Sequence, residues 1–294
     1  MSAPTFWALR VSLAPGTVEG VTNFLWEAGA SGVIEEAPGP LATLEAHFPP
    51  GTDPALTETR LLAYLDALRA LGLPVGPGAV HARLVPDEAW AEAWRAHFVP
   101  RRVGERLWVC PPWDRPPAGP GEVVVEIDPG RAFGTGAHAT TLGCLELAAS
   151  LLATTAGPAV LDVGTGSGIL AVACAKLGAA SVLAIDLDPD AVRAAEANAL
   201  RNGVARQVTV ALATPEELDG VRVPLILANL LAPAIERLAP QFARLAGRPG
   251  WLIAGGVLTT EVGPVETALG RVGFRPCRRL DREGWATLLL ARDG

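Results

Sequence analysis

The chain has little with which to hold a metal or a disulfide framework. Its 4 cysteines (Cys110, Cys144, Cys174 and Cys277) include no C-x-x-C pair, and its 4 histidines (His47, His81, His97 and His138) never fall at the spacing of metal ligands. Reduced thiols and a metal-free site are therefore expected. No apolar run reaches the length of a membrane span, and the opening MSAPTFWALRVSL carries its arginine after the first apolar residues rather than before them. Both absences point to a cytoplasmic protein with no membrane partner. Positive charge is short as well: 24 Lys+Arg face 31 Asp+Glu, the formal net charge is -7, and Lys176 is the sole lysine. That balance disfavours direct nucleic-acid binding and suits steering toward a basic protein.

What is present is enough for an ordinary fold of roughly two domains, because a chain of 294 residues buries enough surface to need no staple. Residues 5–13 alternate like a strand, TVEGVTNFLWEAGA repeats apolar residues at helical spacing up to Gly29, and SGVIEE and LATLEAHF read as strands around an APGP turn. The amphipathic PALTETRLLAYLDALRALG stops at Gly72, and AVHARLV resumes period two. The order strand, helix, strand, strand, helix, strand predicts a ferredoxin-like domain over residues 1–85. DEAWAEAWRAHF, ERLWVC and a proline-rich loop read as a linker helix and strand region over 86–121. From 122 to 294 strands alternate with helices, as in a mostly parallel, doubly wound sheet, and FRPCRRLDRE with GWATLLLARD predicts a closing antiparallel hairpin.

Two glycine-rich turns lie close together in this last region. AVLDVGTGSGIL sets a strand before Asp162 and a helix after Gly168, a context in which glycines let a ligand approach the backbone. Its glycines fall at 164, 166 and 168, and Ile169 occupies the place of the third glycine of a dinucleotide fingerprint. The next strand ends in AIDLDP, where Asp186 is placed to accept hydrogen bonds from ribose hydroxyls and Asp188, before Pro189, suits a helix N-cap. PLILANLLAP puts Asn229 at the end of a later strand, either as a wall of the same crevice or as a cap of the following helix. The second turn, DPGRAFGTGAHATT, runs from Asp128 to Thr141. Within it His138, beside a helix start, reads as structural more readily than as a general base. Trp90, Trp94, Trp108 and Trp113 read as packing rather than as a base-stacking platform.

G-x-G-x-G after one strand, aspartate after the next and asparagine after a later one resemble the class I methyltransferases that use S-adenosylmethionine. DPGRAFGTGAHATT is similar to the signature D-P-G-x-A-F-G-T-G-x-H-x-T-T of the bacterial methyltransferases of large-subunit ribosomal protein eleven, and GERLWVCPPW, LANLLAP and GGVL match that family in order. The similarity is strong over about residues 85–260, while the first 85 residues resemble the family mainly in layout. It departs at Ala139, where the family usually has proline, at Thr165, where cysteine is common, and at Leu230, where isoleucine is usual. The resemblance implies an α/β fold: a doubly wound, Rossmann-like class I methyltransferase sheet at 122–294 with a small α+β substrate-recognition domain before it. It also implies S-adenosylmethionine as cofactor, contacts at Thr141, Gly164, Asp186 and Asn229, and Asn229 as the group that orients the amine. The expected substrate is ribosomal protein eleven, methylated at lysine or N-terminal amines by a monomeric enzyme. A methyltransferase of another protein lysine or small amine, and a nicotinamide-dependent dehydrogenase, remain as alternatives.

Overall fold

The computed structural model describes residues 6–30, 32–35, 41–49, 51–70, 72–85, 98–128 and 138–293. The predicted helix at DEAWAEAWRAHF, the APGP turn and residues 129–137 of the second glycine turn lie mostly or wholly outside them. The chain divides into two units, Met1–His97 and Phe98–Gly294.

In the first unit, alternation sets the sheet. Strand β1 (Phe6–Leu13) turns Trp7, Leu9, Val11 and Leu13 to a core on one face, while the other face carries buried Ala8 and exposed Arg10. It lies antiparallel to both β3 (Ala42–Phe48) and β4 (Val80–Val85), and β2 (Gly32–Glu35) adds to the far side of β3. The order β2-β3-β1-β4 is the interleaving that two split β-α-β units produce. Helices α1 (Val18–Glu27) and α2 (Pro54–Ala70) contribute Val21, Leu25, Leu61 and Leu65 to the same core, where Trp7 stacks on Phe48 with centroids 4.1 Å apart. Each such fully buried side chain stabilises the unit by about 1.5–3 kcal/mol. Helix α2 stops where the sequence expects it, at Gly72 with φ 78.

The second unit opens with a small sheet. β5 (Arg101–Val103) pairs antiparallel with β6 (Leu107–Cys110), and β6 pairs parallel with β7 (Val123–Glu126). Residues 98–121, read from sequence as part of a linker region, thus supply two strands to this unit. Lys176 donates to the Val124 carbonyl and to Asn202 Oδ1, tying the small sheet to the helices beside it.

A seven-stranded sheet follows, in the order β10-β9-β8-β11-β12-β14-β13. Strands β8 (Ala159–Val163), β9 (Ser181–Asp186), β10 (Val208–Leu212), β11 (Val223–Asn229) and β12 (Ala246–Leu258) run parallel. The hairpin β13 (Arg275–Arg282) and β14 (Trp285–Arg292) closes the sheet antiparallel, with β14 inserted beside β12. Helices α3 (Ala139–Leu152), α4 (Ile169–Lys176) and α5 (Pro189–Arg201) join one apolar cluster. Helices α6 (Ala232–Leu245) and α7 (Val262–Arg271) join a second cluster with Leu161, Ile226 and Leu252 of the strands. Both faces are covered, which is why the central strands read as unbroken apolar runs instead of alternating. The sequence of strand positions reverses between β8 and β11, and the carboxyl ends of those two strands bound a crevice.

Candidate active site

The crevice is a cavity of about 220 Å³, lined among the described residues by Thr141, Gly164, Thr165, Gly166, Ile169, Leu170, Asp186, Asn229 and Leu230. All four positions singled out from the sequence are therefore on one wall or another of one cavity.

Its floor is the turn from β8 to α4. Gly164 has φ 71, and a Cβ there would come within 2.5 Å of Leu230 Cδ2, so only glycine lets the turn pass under that leucine. Gly168, with φ 79, presses against Ala195 of α5, where an added Cβ would meet backbone at 2.9 Å. The third glycine of the motif thus serves helix packing. Asp186 fastens the middle of the turn: its Oδ2 accepts from the Gly166 N–H at 2.9 Å and its Oδ1 from the Asp188 N–H at 3.0 Å. Each carboxylate oxygen keeps a further lone pair for a ligand hydroxyl.

Beneath the turn lies Asp162, fully buried, a residue the sequence reading used only to mark the strand end. Its Oδ2 accepts from Thr165 Oγ1 at 2.6 Å. Burial raises its pKa to about 7, against the lowering effects of the Thr165 hydrogen bond and of the Ala171 backbone N–H and with a smaller upward push from the Asp186 charge. Thr165, which departs from the family's usual cysteine, is accordingly the hydroxyl that satisfies this buried acid.

The opposite wall comes from α3 and β11. Thr141 is fully buried in the first turn of α3, and Asn229 Nδ2 donates to its Oγ1 at 3.3 Å. The capping alternative for Asn229 does not hold, because the N-cap of α6 is Leu231 and carries no side-chain cap. The amide nitrogen is thus engaged within this wall, while the Oδ1, beside Gly255 whose added Cβ would come within 2.8 Å of it, accepts from no described residue. Asp188 does cap α5, accepting from the Asp190 N–H at 2.8 Å. His138 is the N-cap of α3, accepting from the Thr140 N–H at 3.4 Å, with its ring edge-on to Trp285 at 5.2 Å. Trp108 is held by a bond to Glu122 at 3.2 Å and by Arg102 over its ring, whereas Trp90 and Trp94 lie outside the described residues.

The sequence reading passed over Asn198 and Asn202. The signal that was there is Asn198, since asparagine is a poor interior helix residue unless its side chain is otherwise engaged, whereas Asn202 is the C-cap of α5.

A parallel sheet of this order, an antiparallel hairpin at its edge, a G-x-G-x-G turn and an acidic strand end at the switch point define a class I, S-adenosylmethionine-dependent methyltransferase. The family model described as ribosomal protein L11 methyltransferase (PrmA) matches residues 5–293, so the chain belongs to the ribosomal protein L11 methyltransferase family. A ribosomal protein L11 methyltransferase of Pelotomaculum thermopropionicum is 39% identical over 303 residues, covering 97% of each chain. One of Symbiobacterium thermophilum is 42% identical over 250 residues, covering 84% of this chain and 80% of its own. A crystal structure of a ribosomal protein L11 methylase from Lactobacillus delbrueckii subsp. bulgaricus superposes with a TM-score of 0.62 at 32% identity, over 67% of this chain and 100% of that one. These relatives do not favour the dehydrogenase or small-amine readings.

Proposed function

We propose that the protein methylates lysine or N-terminal amines, or both, of ribosomal protein L11 in the cytoplasm, using S-adenosylmethionine. The observation that carries the reading is the convergence of Thr141, Gly164, Asp186 and Asn229 on one cleft of a chain that belongs to this family. The donor set suits such a cofactor. Asp186 offers acceptors for ribose hydroxyls, the glycine turn and the start of α4 offer backbone and N-terminal dipole, and Thr141 and Thr165 offer hydroxyls. S-adenosylmethionine supplies an electrophilic methyl group on a sulfonium.

The protein's part is then positioning and the management of one proton. A lysine amine must be neutral to react, which at pH 7 costs about 4.6 kcal/mol from a pKa near 10.4, against about 1.4 kcal/mol for an α-amine with pKa near 8. Desolvation in the cleft lowers either cost. Asn229, held by its bond to Thr141, keeps its carbonyl oxygen for the N–H of a neutral amine and so aims the lone pair. A carboxylate in its place would hold the unreactive ammonium. The first unit presents the protein substrate, and the net charge of -7 suits a basic ribosomal protein as partner without direct nucleic-acid contact, the enzyme acting as a monomer.

Incubation with labelled cofactor and purified L11 is expected to place label on amines of that protein, located by peptide mass spectrometry. Label confined to RNA or small molecules would overturn the assignment. In the same preparation Asp186→Ala is expected to weaken cofactor binding by about 1.5–3 kcal/mol, the range for loss of a charged acceptor, and unchanged affinity by calorimetry would remove Asp186 from the site.

A further inference from the structure

Asn198 of helix α5 and Asn202 at its C-cap both reach other parts of the second unit with their side chains, Asn202 Nδ2 also donating to the Asn198 carbonyl at 2.8 Å. Asn202 closes a two-point clamp on the backbone of Glu126, its Oδ1 accepting from the Glu126 N–H at 2.9 Å and its Nδ2 donating to the Glu126 carbonyl at 2.7 Å. One turn earlier, Asn198 is 2% exposed and reaches two places at once. Its Oδ1 accepts from the Asp128 N–H at 3.1 Å, and its Nδ2 donates to the Ser167 carbonyl at 2.9 Å. Spacing of four puts both amides on one helix face, and strand periodicity brings residues 126 and 128 to the same edge of the outgoing chain.

The sheet has released the chain by then. The β6–β7 ladder ends at Cys110 and Glu126, and the Ile127 N–H to the Cys110 carbonyl is its last bond. Asp128 itself is held from α5, by Asn198 on its N–H and by Arg201 on its carboxylate, each at 3.1 Å. Ser167 belongs to the other glycine turn, between Gly166, which Asp186 holds, and Gly168. Asn198 is thus a single buried amide with one end on the turn under the cleft and the other on the residue that opens the sequence DPGRAFGTGAHATT.

We infer that Asn198 is a positioning residue that couples the two glycine-rich turns, fixing the departure of the chain at Asp128 against the cofactor-binding turn at Ser167. The inference rests on the proposed cofactor site. Breaking the link frees the Ser167 turn to shift relative to Asp128, so cofactor affinity falls. Asn202 holds the strand and never reaches Ser167, so its loss costs fold stability with little cost to binding.

The test compares full-length parent, Asn198→Ala, Asn198→Asp and Asn202→Ala by calorimetric titration with S-adenosylhomocysteine, with melting temperatures recorded for each. Asn198→Asp keeps the acceptor for the Asp128 N–H, loses the donor to the Ser167 carbonyl, and supplies the comparison if Asn198→Ala does not fold. The Asn198 variants are expected to bind tenfold or more weakly at a temperature where they are fully folded, and Asn202→Ala within about threefold of the parent despite a lower melting temperature. Steady-state kinetics should show the Asn198 loss as a raised cofactor KM with a smaller change in kcat. Folded Asn198 variants that bind like the parent, or an Asn202→Ala variant that loses as much affinity as they do, would overturn the coupling role. A parent that fails to bind S-adenosylhomocysteine would instead overturn the cofactor reading itself.

Discussion

At the scale of single residues, Asn229 and Asp162 make different use of being close to charge. The amide of Asn229 is already committed to Thr141, and a hydroxyl can donate as well as accept, so Asn229→Asp preserves that link while adding a charge beside the amine. Each unit by which that charge raises the amine pKa adds about 1.4 kcal/mol to the cost of the neutral nucleophile near pH 7. Turnover at saturating cofactor is expected to drop roughly tenfold per unit and to recover partly toward pH 9. A parental rate for this variant from pH 7 to 9 would end the amine-orienting role. Asp162 acts on stability. Its folded pKa of about 7 lies above that of an unfolded aspartate, near 3.9, so the folded state binds more protons through that interval. Stability from this group is greatest below pH 4 and is lost as pH rises toward 7. In urea titrations of the cofactor-free protein, Asp162→Asn should therefore gain on the parent steadily from pH 4 to 7. A difference that stays flat with pH would contradict the raised value.

Among the elements, α3 depends most on a contact that spacing alone does not disclose. Gly143 sits in its middle, where glycine costs a helix about 1 kcal/mol relative to alanine, and the reason is β14: an added Cβ would come to 2.2 Å from Thr287 Oγ1. Gly143→Ala should accordingly destabilise by about 1–3 kcal/mol in denaturant melts, in spite of its better helix propensity. Because α3 carries Thr141, cofactor affinity should decline with it. Thr287→Ala in the same chain removes the nearest atoms and should restore most of both losses. A Gly143→Ala protein more stable than the parent would show that the helix is not pressed to the sheet.

For the whole molecule, the division at His97 and Phe98 separates the four-stranded antiparallel sheet from the unit that holds the described residues of the cleft. If the first unit serves to present the protein substrate, a chain lacking residues 1–97 should keep S-adenosylmethionine affinity close to that of the full protein. Transfer to L11 should fall to background in that chain, and efficient methylation by it would place substrate recognition in the second unit instead.

Strand and helix order, the closing hairpin and the cleft positions Gly164, Asp186 and Asn229 were legible in the sequence because each leaves a local mark, while Thr141 was implied by the family resemblance. Alternation of two or near 3.6 residues marks an element, and glycine where φ is positive, as at Gly72 and Gly164, marks its end or its turn. Asp186 and Asn229 stood out as polar ends of apolar strands, and a parallel sheet buried on both faces gathers such ends along one edge. What the sequence left open depended on partners distant in the chain. Taken alone, Asn229 fits a helix cap as well as a cleft wall; the structure makes Leu231 the N-cap and puts the Asn229 amide on Thr141, 88 residues away. Within the region read as linker helix and strand, ERLWVC was legible as a strand, but the three-residue β5 carries too little periodicity to declare itself and the pairing of these strands into a sheet left no local mark. The burial of Asp162 and the bridge through Asn198, 70 residues from Asp128 and 31 from Ser167, were decided by tertiary packing alone. Hydrogen bonds and desolvation act over a few ångströms of space, and only the folded chain determines which residues come within that reach.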